Sequence, residues 1–417
     1  MERDRHGAER RPGFPAAVTG LGLVTAAGIG VAANWARVLA GVPTAARISE
    51  LAGLPCDFGC TVPGFDAEAL LGADAAWSTD RFVQLALVAV RQALADAGWD
   101  PACWDGTRVG VVFGNSHGGK PLYERQVRRL AERGPSLVSP MLVPMTMVNM
   151  VAGSVAIDCR AGGPSMVTAT ACASGCNAVG TAREWLRTGR CDVVVAGGAE
   201  SAMSPALVAS MCRMRALSER RDDPAGACRP FHPDRDGMVG GEGAGVLVLE
   251  REDDARARGA RVRATITGYG AATDAYRTTA PHPDGAGAER ALRAALADAG
   301  LRPTDIDHVN THGTGTRLSD AVESAMLHRV LGPGPAATST KPVTGHTLGA
   351  AGAIEAAFTV LAAEHGRIPP TANLDRPDPA IALDVVTGRA RRTAVRHAVK
   401  TSLGFGGHNA ALIVSAC

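Results

Sequence analysis

The sequence predicts an α/β protein made of two similar halves. Residues 193–196 (Val-Val-Val-Ala) and 246–249 (Val-Leu-Val-Leu) are apolar at every position. Such runs are typical of strands that lie in a sheet covered by helices on both faces. Ala-rich segments with apolar spacing near 3.6 residues, such as 176–187, are typical of the covering helices. The 417 residues, 46% of them hydrophobic, allow one large domain or two fused domains.

Four sequence matches, in the same order in both halves, indicate an internal duplication. They pair Thr19-Gly-Leu-Gly22 with Thr267-Gly-Tyr-Gly270, residues 91–98 with 293–300, Asn115-Ser-His117-Gly with Asn310-Thr-His312-Gly, and Thr170-Ala-Cys172 with Thr344-Gly-His346. The second pair predicts a helix that ends at a glycine in each half. A pseudo-twofold relation would place Cys172 and His346 at related helix starts and bring them to one point.

The charged stretch from 251 to 261 follows an apolar strand and is the predicted boundary between the halves. We therefore expect an N-terminal half over residues 16–255 and a C-terminal half over residues 256–417. Residues 1–15 begin with a charged segment and are expected to form a disordered tail.

Composition and charge exclude several classes of function. The net charge of +2 gives no reason to expect nucleic-acid or membrane binding. Neither a transmembrane run nor the apolar core of a signal peptide is present, so we expect a cytoplasmic protein. The ten cysteines lack paired metal-binding spacing, which predicts reduced thiols and no metal.

Cys172 is the candidate nucleophile. The β-prone run 164–168 precedes it, a small-residue helix follows it, and its neighbours Ala171, Ala173 and Gly175 are small. These neighbours would let a carbonyl carbon approach the sulfur, and the helix N-terminus would stabilise a thiolate. A lone cysteine is more often a small buried hydrophobe, so this segment alone does not decide the question.

The C-terminal half supplies the other groups that thioester chemistry needs. His312 lies in Asn310-Thr-His-Gly-Thr314-Gly-Thr316, and Lys341 precedes His346 by five residues in a Gly-rich segment. The chain has only three lysines, at 120, 341 and 400, so this spacing is an unusual one for it. One cysteine, two histidines and one lysine suffice for acyl transfer with carbanion formation.

Six motifs in order resemble the β-ketoacyl synthases of the thiolase-like superfamily, over about residues 17–414. They are Thr-Ala-Cys172-Ala-Ser-Gly, residues 229–237 (Arg-Pro-Phe-His-Pro-Asp-Arg-Asp-Gly), residues 241–245 (Gly-Glu-Gly-Ala-Gly), His312-Gly-Thr-Gly-Thr, Lys341-x4-His346 and residues 404–409 (Gly-Phe-Gly-Gly-His-Asn). The likeness is greatest to the discrete elongating enzymes of fatty-acid synthase II and type II polyketide systems. It implies a five-layered α-β-α-β-α fold, usually dimeric.

The resemblance also implies a reaction and its participants. Cys172 takes an acyl chain from acyl carrier protein, while His312 and His346 stabilise the enolate formed as malonyl thioester loses carbon dioxide. The enolate then attacks the Cys172 thioester and lengthens the chain by two carbons. The amides of Cys172 and Phe405 would form an oxyanion hole. No cofactor is implied, because substrates arrive on the carrier's phosphopantetheine.

The remaining candidate residues have supporting roles by the same resemblance. Lys341 would order the two histidines, and a structural ion pair between Lys341 and Glu323 is the alternative. Asp320 and Glu323 lie on one helical face and are expected to act behind the site. The residues expected at the substrate are Thr314, Thr316, Met238, Gly404 and Gly406, with Phe405 as a gate between the glycines. Met238 departs from the family's usual Phe, which leaves acyl preference open.

Partners and pathway remain open in part. Arg215, Arg220 and Arg221 resemble the segment that meets the acidic helix of acyl carrier protein. The chain could form a homodimer, or a heterodimer with a chain-length-factor-like subunit. A non-catalytic subunit would lack the nucleophile, and a thiolase would carry a second cysteine where His408 stands. Service in fatty-acid or in polyketide synthesis is unresolved.

Overall fold

The structure is a computed structural model that describes residues 14–417. Most of the expected tail, residues 1–13, lies outside the described residues. The carbonyl of Phe14 accepts a hydrogen bond from Nε of Arg183 at 3.0 Å.

The strands are β1 Ala16–Thr25, β2 Gly28–Ile29, β3 Ala46–Arg47, β4 Phe58–Gly59, β5 Val109–Gly114, β6 Ser165–Thr168, β7 Val193–Glu200, β8 Gly243–Arg251, β9 Ala264–Thr273, β10 His308–Asn310, β11 Ala336–Thr338, β12 Arg367–Ile368, β13 Asp384–Val385, β14 Arg391–Arg392, β15 His397–Gly404 and β16 His408–Ser415. The α-helices are α1 Val31–Ala40, α2 Ala67–Leu71, α3 Ala73–Ser78, α4 Arg81–Ala97, α5 Lys120–Arg133, α6 Leu142–Thr146, α7 Met150–Asp158, α8 Ser174–Arg187, α9 Pro205–Arg213, α10 Glu252–Ala257, α11 Ala286–Ala299, α12 Arg317–Leu331, α13 Lys341–Thr344 and α14 Ala351–His365.

The main sheet repeats one strand arrangement in both halves. Its order is β13-β11-β10-β15-β16-β9-β1-β8-β7-β5-β6, with β2 beside β1. In each half, an antiparallel trio continues into two parallel strands: β1-β8-β7 into β5-β6, and β9-β16-β15 into β10-β11. The halves meet where residues 16–18 of β1 pair with residues 264–266 of β9. The predicted duplication is therefore visible in the pairing itself.

Five layers result from the way the helices cover this sheet. Helices α8 and α14 pack on each other and contact strands of both halves, so they form the central layer. Helices α4 and α7 cover the N-terminal half from outside, and α11 and α12 lie on the corresponding side of the C-terminal half. This confirms the predicted α-β-α-β-α architecture.

The glycine pairs of the repeat explain how strand and outer helix approach each other. A Cβ at Gly20 or Gly22 would lie 2.0 or 1.8 Å from a carbonyl oxygen of α4. A Cβ at Gly268 or Gly270 would lie 2.3 or 2.1 Å from a carbonyl oxygen of α11. Only a residue without a side chain permits backbone contact this close.

The structure corrects the last of the four sequence matches between the halves, the one at the starts of the central helices. Ala171 and Leu348 have left-handed backbones, with φ of 49° and 48°. Each opens a three-residue 3₁₀ turn that leads into α8 or α14. Cys172 therefore corresponds to Gly349, and His346 lies three residues earlier. The predicted pairing of Cys172 with His346 was wrong in register, although both do lie at these helix starts.

Candidate active site

Cys172 lies in the turn between β6 and α8, and local hydrogen bonds fix this turn. The hydroxyl of Ser174 donates to the carbonyl of Ala171 at 2.6 Å and accepts from the amide of Thr170 at 2.8 Å. The hydroxyl of Thr168 donates to the carbonyl of Ser174 at 2.8 Å. The sulfur is therefore held at a fixed point at the head of the central helix.

Two histidines of the C-terminal half surround this sulfur. Nε2 of His346 lies 3.1 Å from Sγ of Cys172. The ring of His312 is 5.3 Å from that of His346, centroid to centroid, and is turned 83° to it. One donor atom from each of the three residues lies within 4.8 Å of the other two. The structure thus brings together the three groups that lie far apart in the sequence.

Hydrogen bonding assigns the tautomer of His346. The amide of Leu348 donates to Nδ1 at 3.3 Å, so the proton of the neutral ring resides on Nε2, which faces the sulfur. Burial lowers the pKa of His346 and of His312 well below the usual value, and Lys341 lowers both further. Both rings are therefore neutral at pH 7, and His346 offers an N–H to the site.

Burial shifts the pKa of Cys172 in the opposite direction. It raises the pKa of Cys172 to about 11, and the nearby charge of Lys341 and a hydrogen bond from the Phe405 amide only partly offset this. The position of Cys172 at a helix N-terminus predicts a thiolate. At this pKa the resting form at pH 7 is instead a thiol, because removal from water disfavours the charged thiolate.

Lys341 binds a different carboxylate from the one considered in the sequence. Its ammonium pairs with Glu355 of α14 and donates to the carbonyl of His312. No contact with Glu323 is present, so the alternative of a Lys341–Glu323 ion pair was wrong. The pair is buried, and Lys341 holds the backbone of His312 directly through the hydrogen bond to its carbonyl.

Asp320 and Glu323 hold the loop that carries His312. Glu323 accepts from the amides of His312 at 2.7 Å and Gly313 at 2.8 Å. Asp320 accepts from the amide of Thr314 at 3.0 Å, and burial raises the pKa of Asp320 to about 7. Both carboxylates lie behind the loop, as the helical spacing predicted.

The loop after β15 passes close to the backbone of Cys172. A Cβ at Gly404 would lie 3.2 Å from the amide nitrogen of Cys172 and 2.7 Å from the carbonyl oxygen of Thr170. Gly406 has a φ of 81°, a conformation that a side chain would strain. Phe405, between them, is 37% exposed and lines the cavity at the sulfur.

A cavity of about 560 Å³ leads from the surface to Cys172. Thr314, Thr316 and Met238 line it, as expected, and the two threonine hydroxyls lie 3.1 Å apart. The walls also include apolar side chains that the sequence did not single out, among them Leu207, Met211, Leu348 and Leu403. This is enough room for an acyl chain and the arm that carries it.

The three candidate docking arginines differ in their surroundings. Arg215 is exposed, lines the cavity entrance and makes no ion pair within the described chain. Arg221 is paired with Asp57 at 2.9 Å. Arg220 is partly buried and donates to the carbonyl of Asp234 at 3.4 Å. Only Arg215 combines a free charge with a place at the entrance.

Two charged residues of the site were not predicted from the sequence. Glu355 lies in the second turn of α14, where nothing in its Ala-rich surroundings marks it. Lys400 lies in β15 and is completely buried beside Glu355. A charged residue within a segment otherwise predicted to be buried was the available signal for both.

Comparison with known proteins identifies related sequences. The family model "Beta-ketoacyl synthase, N-terminal domain" matches residues 14–255, and "Beta-ketoacyl synthase, C-terminal domain" matches residues 263–375. The chain is 42% identical over 400 residues to 3-oxoacyl-[acyl-carrier-protein] synthase 2 of Synechocystis sp., covering 95% of this chain and 96% of that one. It is 40% identical over 401 residues to the Staphylococcus aureus enzyme of the same name, covering 95% and 99%.

Solved structures give the same result. The ishigamide ketosynthase/chain length factor superimposes with a TM-score of 0.91 at 34% identity, covering 97% of this chain and 100% of that one. A type II PKS acyl-carrier protein in complex with its ketosynthase bound to the hexaketide gives 0.89 at 30% identity, covering 98% and 100%. Since the two family models match most of its length and these relatives share its fold, the chain belongs to the β-ketoacyl synthase family.

Proposed function

We propose that this protein is a β-ketoacyl-[acyl-carrier-protein] synthase that extends an acyl chain by two carbons. The observation that carries the proposal is the meeting of Cys172 with two neutral histidines in one cavity. Its overall reaction converts acyl carrier protein thioester and malonyl carrier protein into β-ketoacyl carrier protein, free carrier protein and carbon dioxide.

In the first step the sulfur of Cys172 forms a thioester with the acyl group as the bond from the acyl carbon to the carrier's sulfur breaks. The proton of the Cys172 thiol ends on the carrier's sulfur, which leaves as a free thiol. The N–H of His346 at 3.1 Å stabilises negative charge as it develops on the sulfur. Among the described residues, the amide of Cys172 makes no hydrogen bond, and the missing side chain of Gly404 leaves it uncovered. That amide and the Phe405 amide are the donors we assign to the oxyanion of the tetrahedral intermediate.

In the second step His312 and His346 receive the developing enolate of the malonyl thioester. A neutral N–H donor stabilises an enolate oxygen without neutralising it, so the enolate stays nucleophilic. The carbon then attacks the Cys172 thioester, and the sulfur leaves as thiolate. Loss of carbon dioxide makes the two-step reaction favourable, so we propose that the reaction needs neither a metal nor a redox cofactor.

Acyl carrier protein is the proposed source of both substrates. Two of the relatives are named for it, and one solved neighbour is a ketosynthase complex with such a carrier. Arg215 at the cavity entrance is the side chain best placed to meet an acidic carrier. The described chain contains no helix that is both long and apolar enough to cross a bilayer.

A second subunit is proposed to cover the free edge of the sheet. Strand β6 ends the sheet, and exposed apolar side chains cluster in β6 and the preceding segment: Val143, Met147, Val148, Ile157 and Met166. An apolar patch beside an open strand edge is typical of a subunit interface. A second copy is one candidate, and a chain-length-factor-like subunit is the other, since one solved neighbour is a ketosynthase/chain length factor.

Intact-protein mass spectrometry tests the proposal. We would incubate the protein with a panel of acyl carrier proteins bearing saturated, unsaturated and polyketide chains, and then with malonyl carrier protein. A mass increase equal to one acyl group, followed by release of a product two carbons longer, is the expected result. The preferred carrier and chain separate fatty-acid from polyketide service, and native mass spectrometry separates homodimer from heterodimer. Failure of every carrier to acylate the protein would exclude this function.

A further inference from the structure

Two of the three lysines in the chain are buried together. Lys341 and Lys400 have side chains with no exposed surface, and both contact the carboxylate of Glu355. The third, Lys120, is exposed at the start of α5. The chain otherwise carries its positive charge almost entirely on arginine, yet two of its three lysines lie at one point behind the candidate active site.

The two ammonium groups hold successive carbonyls of the segment that carries His312. Lys341 donates to the carbonyl of His312. Lys400 donates to the carbonyl of Thr311 at 3.3 Å and to that of Thr401. Glu355 joins the two, because one of its oxygens pairs with Lys341 and the other lies 2.8 Å from Nζ of Lys400. The peptide groups before and after the Cα of His312 are thus each fixed by an ammonium.

Stability alone does not account for this arrangement. One carboxylate balances one ammonium, so Glu355 and Lys341 already form a complete pair. A second buried ammonium must share the carboxylate of Glu355 and adds the cost of its own removal from water, and burial accordingly lowers the pKa of Lys400. Such a cost is expected where the charge serves the site rather than the fold.

We propose that Lys400 is a positioning residue of this active site, which acts through the backbone of Thr311 and His312 to aim the His312 ring at the substrate. This inference rests on the proposed function. Lys400 itself contacts neither the cavity nor Cys172, so it is not a catalytic residue.

The charge of Lys400 also affects the protonation of His312 and His346. The charged and titratable groups around His312 are Lys341, Lys400, His346, Glu323, Glu355 and Cys172. Lys400 lowers the pKa of both His312 and His346, in addition to burial and Lys341. Each ring therefore stays neutral to a lower pH than it would without Lys400.

Lys400→Met tests the proposal, with Lys120→Met as the matched control on the surface. Methionine fills similar space and leaves Glu355 paired with Lys341, so the variant should melt at or above the temperature of the unmodified protein. Decarboxylation of malonyl carrier protein should fall about ten- to a hundredfold, since a small displacement of a positioned group has that effect. Acyl loading of Cys172 should change less than threefold. The acid limb of the decarboxylation pH profile should move to higher pH.

Lys400→Gln separates the hydrogen bond from the charge. It keeps a donor for the Thr311 carbonyl, so it should retain more decarboxylation than Lys400→Met while showing the same movement of the acid limb. If Lys400→Met decarboxylates like Lys120→Met with an unmoved acid limb, or loses loading and decarboxylation equally, Lys400 has no positioning role. If the unmodified protein neither loads nor decarboxylates, the proposed function falls, and this inference with it.

Discussion

The two halves of the molecule share one scaffold and supply different chemistry. In both, a strand with two glycines packs against an outer helix that ends at a left-handed glycine, Gly98 or Gly300. In both, an aspartate of that helix accepts from a strand amide, Asp96 from Leu21 at 2.8 Å and Asp298 from Tyr269 at 3.0 Å. The frame was duplicated down to single hydrogen bonds.

The halves differ at the heads of their central helices. The turn that holds Cys172 in the N-terminal half holds Gly349 in the C-terminal half. Gly175 of α8 approaches Ala353 of α14, and Gly352 approaches Cys176, so the two helix starts lie against each other. One half can therefore give the nucleophile while the other gives the histidines and lysine. The comparison shows that a symmetric frame brings unlike groups together.

The largest effect is expected from removing the nucleophile of the N-terminal half. Cys172→Ala should lower acyl loading and condensation on the order of 10³-fold or more, because Cys176, the other thiol at this helix start, does not line the cavity. Cys172→Gln should also prevent loading but retain malonyl decarboxylation, since its amide resembles an acylated sulfur. Mass spectrometry and carbon dioxide release measure the two steps. Acylation of Cys172→Ala would assign the nucleophile to another cysteine.

Removing a histidine of the C-terminal half should affect the other step. His312→Ala and His346→Ala are expected to slow decarboxylation about 10²- to 10⁴-fold, because each deletes a donor to the enolate. Loading should fall less, since the oxyanion donors remain. Single-turnover assays of each step distinguish the two effects. Variants that load poorly yet decarboxylate normally would reverse the division of labour between the halves.

Equivalent glycines should respond alike if the frame is truly duplicated. Gly22→Ala and Gly270→Ala each place a Cβ about where a helix carbonyl lies, at 1.8 and 2.1 Å. Each should lower the free energy of unfolding by about 1–3 kcal/mol or more. Gly334→Ala, which meets no atom within 4 Å, is the control and should stay within about 0.5 kcal/mol. Urea denaturation measures all three, and a large difference between the first two would show that the halves are not equivalent in stability.

The smallest effect is expected at the surface. Arg215→Glu should weaken carrier association about two- to fivefold and make it less sensitive to salt than the unmodified protein, because it removes an attraction that salt screens. Turnover of a small acyl thioester should be unchanged. Arg221→Glu, already paired with Asp57, is the comparison for a charge that is not free. Equal losses with carrier and small thioester would indicate a defect in the cavity instead.

Most of the fold and the central group of site residues could be predicted from the sequence. Duplicated glycines, helix ends and buried strands are local patterns, and each half repeats them in order. The motifs around Cys172, His312, Lys341 and His346 are likewise local, because each loop must place one side chain. The alignment of the two central-helix starts, in which Cys172 corresponds to Gly349 and not to His346, was not predictable. It depends on the left-handed turns at Ala171 and Leu348 and not on residue type.

Only the tertiary structure decided how the charges of the site are paired. An ion pair with Glu323 was the alternative considered for Lys341, yet Lys341 pairs with Glu355, because α14 runs through the centre of the molecule and brings its second turn under the His312 loop. Lys400 reaches the same carboxylate from β15. The thiol state of Cys172 was decided in the same way. The sequence determines which ionisable groups are present and which loops carry them. Burial and contacts between distant segments determine the partner and the protonation state of each group, because both of these depend on what surrounds the group once water is excluded.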